Sequence, residues 1–101
     1  MEQTARIEMM ENILDDSSAI LETVEKALDK LEKNSTAYRR LREYYGSEEW
    51  HKDMQAADVD MLPEGLKCGV LTEDAVYDLI GDYNRVAVRM LEIATQMIKD
   101  C

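Results

Sequence analysis

The sequence predicts an all-α fold, a compact antiparallel bundle of three to four helices in one domain over residues 1–101, on three observations. Ile7, Met10, Leu14, Ser17, Leu21, Val24, Leu28, Leu31, Ser35, Tyr38, Arg42 and Tyr45 alternate steps of three and four. Val76, Leu79, Tyr83, Val86, Met90, Ile93 and Met97 keep the same rhythm near the C-terminus. The stretch between them has no such period and holds the one proline, Pro63. Side chains at the alternating spacing fall on one side of a helix and must cover something apolar. The two seams are expected to share one interior.

The first segment, about Thr4 to Tyr45, contains neither Gly nor Pro. As one helix it would extend about 60 Å, long against a radius of gyration of roughly 13 Å for a compact domain of this size. Either it breaks near Lys33-Asn34-Ser35-Thr36, where Asn34 or Ser35 can cap a new helix, or it stays continuous and its seam packs against a second copy. A break or kink is favoured. Gly46 then suits a helix C-cap. Ser47 starts a short middle helix, about Glu48 to Ala57, with Glu48 and Glu49 in the first turn, where the helix dipole favours acids. Pro63, Gly65 and Gly69 mark a loop from about Met61 to Leu71. Thr72 is the expected N-cap of the last helix, Glu73 to about Lys99, with Glu73 and Asp74 in its acidic first turn. Gly81 inside that helix costs about 1 kcal/mol relative to Ala. A close neighbour, such as the Trp50 ring, would account for it.

Composition narrows the function classes. The hydrophobic fraction is 46% and the charged fraction 34%, which is the balance of a folded domain rather than a disordered one. No apolar run approaches the roughly 20 residues that cross a bilayer, and Met-Glu-Gln-Thr-Ala-Arg lacks the pattern of a signal peptide. A cytoplasmic location is the expectation. Cys68 and Cys101 form no metal-ligand spacing or disulfide framework, and the single histidine excludes a His-rich metal centre. No cofactor is expected. The net charge of −10 disfavours direct contact with nucleic acid or anionic lipid and favours a basic protein partner.

The most distinctive residues are Tyr44-Tyr45-Gly46-Ser47-Glu48-Glu49-Trp50-His51-Lys52-Asp53 and Leu66-Lys67-Cys68-Gly69-Val70-Leu71-Thr72-Glu73-Asp74. Tyr45, Ser47, Trp50 and Asp53 match a Tyr-x-Ser-x-x-Trp-x-x-Asp element. Leu66 to Asp74 match a Leu-Lys-x-Gly-Val-Leu-Ser/Thr-Glu-Asp element. Through these two elements the chain resembles a family of short bacterial proteins catalogued as a domain of unknown function, number 4298. Two positions depart from the pattern: Cys68 stands where a basic residue is expected, and Thr72 where Ser is usual. The resemblance implies a small helical fold and carries no activity, substrate or catalytic residue.

Glu48, His51 and Asp53, with Tyr44 or Tyr45, are the groups that general acid–base chemistry could use. Residues at i, i+3 and i+5 of one helix do not converge on a point, and no nucleophile or metal motif accompanies them, so no catalytic residue is assigned. Read structurally, Trp50 anchors the short helix, Ser47 caps it and Asp53 accepts from a loop amide.

Glu8, Glu11, Asp15, Glu22, Glu25, Asp29 and Glu32 step by three, four and seven and form one acidic ridge beside the first seam. Neighbouring carboxylates at such steps lie about 5–6 Å apart at Cβ, a scale similar to that of phosphates along a nucleic-acid strand. Salt pairs such as Glu22–Lys26 and Asp29–Lys33 would instead make the ridge a solvated face. The expected function is a non-enzymatic binding protein that occupies a basic surface of a partner. In its sharpest form it is an anti-CRISPR-like inhibitor of a nucleic-acid-binding enzyme, with Glu48 and Glu49 as a second patch. The alternative is a helical interaction or self-association module, homodimer included.

Overall fold

The computed structural model describes residues 2–101. Its described residues form four α-helices, α1 (Gln3–Lys33), α2 (Ser35–Tyr44), α3 (Glu48–Asp58) and α4 (Ala75–Asp100), with a 3₁₀ turn at Gly69–Leu71 and no strand. The all-α prediction holds, and so does the order of a long, a short and a long helix. The chain divides into two units, one reaching Ala37 and one spanning Tyr38–Cys101.

In the first unit, α1 begins on Glu2. The Glu2 carboxylate accepts from the amides of Thr4 and Ala5 at 3.0 and 3.2 Å, and these two bonds lower its pKa. The predicted break falls at Asn34, which separates α1 from α2 while keeping right-handed helical torsions. Lys30 and Lys33 stand in the last turn, where the dipole favours cations. No residue of α1 is buried.

The second unit is organised by turns. Gly46 takes φ +80° one residue past Tyr45 at the end of α2, the left-handed position that closes a helix and suits glycine. The Ser47 hydroxyl then accepts from the Trp50 amide at 3.1 Å and caps α3. After α3 the amide of Met61 returns to the Ala56 carbonyl and that of Asp60 to Ala57, with Asp60 left-handed at φ 62°. This is a Schellman ending in which Asp replaces the usual glycine. α4 starts later than the sequence suggests. Thr72 donates to the Gly69 carbonyl at 2.7 Å and accepts from the Ala75 amide at a long 3.4 Å, so residues 72–74 close the 3₁₀ turn before α4 begins. Asp74 occupies the N-cap position without a side-chain bond to the helix.

Few side chains are buried in either unit. Among the described residues only Trp50 (6% exposed) and Val76 (3%) are buried. Leu21, Leu28 and Val86, expected to share one core, are exposed, and Met90 is half-buried. Heptad spacing specifies that a face must be covered and says nothing of what covers it. The Gly81 expectation is also overturned: a Cβ placed there meets no atom within 4 Å, and Trp50 packs elsewhere.

Candidate functional site

Two groups of residues stand out, one in each unit. On α1 the ridge acids Glu8, Glu11, Asp15, Glu22, Glu25 and Asp29 are all exposed. The helix alone sets their spacing. Glu22 pairs with Lys26 at 3.1 Å, as the sequence suggests. Asp29 and Lys33 do not pair, and among the described residues no other ridge acid is within ion-pair distance of a base. Bare carboxylates next to one another in water repel only weakly and keep their full hydration. They are free to meet cations from outside. In the other unit Glu48 pairs with Lys52 at 3.6 Å, and Glu49 shares the first turn of α3 with it.

The second group is the family-motif set, which gathers at the junction of α2, α3, the 3₁₀ turn and α4. Tyr45 and Trp50 lie on either side of the Gly46 turn, and their rings meet edge to face at 5.1 Å. The Trp50 indole N–H donates to the Val70 carbonyl at 2.9 Å. The Tyr45 hydroxyl donates to the Glu73 carbonyl at 2.9 Å. Two aromatic side chains from the start of the motif region thus hold two main-chain oxygens from its end. Gly69 opens the 3₁₀ turn, and its carbonyl takes the Thr72 hydroxyl. This cluster is a clasp: it ties the start of α3 to the 3₁₀ turn and to the approach to α4.

Asp53 does not bond a loop amide. It accepts the Tyr44 hydroxyl at 2.5 Å across the Gly46 turn. That bond, followed by desolvation and by the negative charges of Asp53 and Glu49, pushes the Tyr44 pKa from its ordinary 10.0 up to about 12. The groups weighed for acid–base chemistry are engaged separately: Glu48 with Lys52, Asp53 with Tyr44, and His51 edge-on to the Trp50 ring at 5.0 Å. Sequence reasoning missed the Tyr38–Tyr83 stack, with centroids 3.6 Å apart and planes within 5°, and the Arg42 guanidinium 5.9 Å from the Tyr38 centroid. Both tyrosines stand on the predicted seams, which was the available signal.

Among the described residues no group of three His, Cys, Asp or Glu side chains is placed to hold a metal ion. No described helix is long and apolar enough to cross a membrane. Comparison with curated proteins finds no match. A family model, Domain of unknown function (DUF4298), matches residues 7–93. It covers the α1 seam and every residue of the clasp. The chain therefore belongs to the DUF4298 family.

Proposed function

We propose that this chain is a non-enzymatic helical binding protein that acts in the cytoplasm and engages a basic surface of a partner protein through the α1 ridge. The observation that carries the reading is the row of exposed carboxylates at Glu8, Glu11, Asp15, Glu25 and Asp29, none of them neutralised within the described chain. Regularly spaced charge on a rigid rod complements a groove built to hold a phosphate backbone. The sharpest version is an anti-CRISPR-like inhibitor seated in the guide or target channel of a nuclease. Glu49 and the Lys52-paired Glu48 offer a smaller second patch.

The test is capture of the partner from the native host by wild type and by a Glu8→Lys, Asp15→Lys, Asp29→Lys variant. Wild type should retain the partner at about 0.1 M salt and release it near 1 M, as the Debye length falls from ~10 to ~3 Å. The variant should capture nothing while its circular dichroism stays that of wild type. Equal capture by the variant would end the ridge reading. A second reading, a helix–helix interaction module, is favoured by the exposed α1 seam. The packed interior of a helical bundle would then be supplied by contact with another chain.

A further inference from the structure

Helix α1 carries an uncovered apolar face along most of its length. Leu14, Leu21 and Leu28 stand 59%, 55% and 46% exposed. A helix with such a stripe owes most of its stability to whatever covers the stripe. We propose that the cover is the α1 helix of a second copy of this chain, parallel and in register.

The period points to a coiled coil. From Ile7 to Leu31 the alternation of three and four never slips, which amounts to more than three heptads. Beyond α1 the spacing continues but its apolar character fades: Asn34 separates α1 from α2, and the next seam positions include Ser35 and Arg42.

The flanks choose the occupant and its direction. One core row is Ile7, Leu14, Leu21 and Leu28; the other is Met10, Ser17, Val24 and Leu31. Directly after the second row come Glu11, Ser18, Glu25 and Glu32. Directly before the first row come Arg6, Ile13, Ile20 and Ala27. In a parallel pair these two unlike flanks face each other across the interface. Arg6 then meets Glu11 of the second copy, twice per dimer by symmetry. Ile13 and Ile20 widen the apolar contact, and no carboxylate opposes another. An antiparallel pair sets like flanks together, so that Glu11 faces Glu32 of the second copy, twice per dimer, which repels, and Arg6 loses its acidic partner. Glu8, Asp15, Glu22 and Asp29 remain on the outside of the parallel pair. The ridge acids Glu11, Glu25 and Glu32 flank the seam, so Glu8, Asp15 and Asp29, the acids reversed in the partner test, can be changed without touching the contact between copies, and each reading can fail alone.

Sedimentation equilibrium of the full chain tests this, with Trp50 fluorescence reporting that the clasp is intact. At micromolar concentration the mass should be twice the chain's 11.6 kDa. Leu21→Lys should raise the dissociation constant at least about 100-fold, because each dimer loses two core leucines, while Trp50 fluorescence stays unchanged. In a Cys68→Ser, Cys101→Ser background, Met10→Cys should form an inter-chain disulfide under mild oxidation, since Met10, far from the middle of α1, faces its own copy only in a parallel, in-register pair. Asp15→Cys, on the outer face, should not. A monomer at all concentrations, a dimer indifferent to Leu21→Lys, or a dimer in which Met10→Cys stays reduced would overturn the proposal.

Discussion

Trp50→Ala should dismantle the clasp. The Trp50 ring is 6% exposed, lies edge-on to Tyr45 and donates to the Val70 carbonyl. Truncating a buried tryptophan costs about 3–5 kcal/mol. A unit the size of Tyr38–Cys101 has only about 3–10 kcal/mol of stability in all. Trp50 is the larger of its two buried residues, so the loss should consume most of that margin. Trp50→Phe separates the contributions. It keeps much of the ring and removes the N–H, leaving the half-exposed Val70 carbonyl to water, at a cost of about 1 kcal/mol. Urea unfolding followed by circular dichroism reads both. With a slope near 1 kcal/mol/M, the Phe variant should lose roughly 1 M of midpoint, and the Ala variant should show no cooperative transition from this unit. An Ala variant whose midpoint stays within about 0.3 M of wild type would refute the assignment of Trp50 as the anchor.

Two further perturbations test the surroundings of the clasp. Spectrophotometric titration should find one tyrosine ionising near pH 12, and Asp53→Asn should return it toward 10.0. Because the folded pKa is raised, the contribution of the Tyr44–Asp53 bond is full below about pH 10 and is lost as pH climbs through about 12. Gly81→Ala should stabilise α4 by about 1 kcal/mol, since an added Cβ meets nothing within 4 Å; a lowered melting temperature would mean that something unseen packs there.

What the sequence made legible was local. Ser47 beside Glu48 and Glu49 announces a cap, and Gly46 before it a stop, because these signals act within one turn of backbone. The break at Asn34 was visible for the same reason: a core position turns to Ser just where two capping residues stand together. Positions that depend on a distant partner were not legible. Thr72 looks like a cap, yet its hydroxyl donates to the Gly69 carbonyl, and α4 waits until Ala75. Asp53 could have bonded any nearby donor; only the fold of the Gly46 turn brings Tyr44 to it. Trp50 reads as an anchor, but nothing in its neighbours names Val70 as the acceptor. Seam residues such as Leu21 and Leu28 carry the same limit further. Their spacing states a need for cover, and the sequence of one chain cannot show whether that cover lies within it. The ridge was legible as geometry, since helical spacing alone sets it, and its partner is not written in its residues.

Both aromatic grips end on main-chain oxygens, those of Val70 and Glu73. Every amino acid offers that oxygen, so side-chain replacements at 70 and 73 leave the acceptors in place. An inserted or deleted residue between Cys68 and Glu73 would instead carry one or both oxygens out of reach. In this chain, exchanges at Val70 and Glu73 should leave the clasp standing, while a change of length between Cys68 and Glu73 should open it.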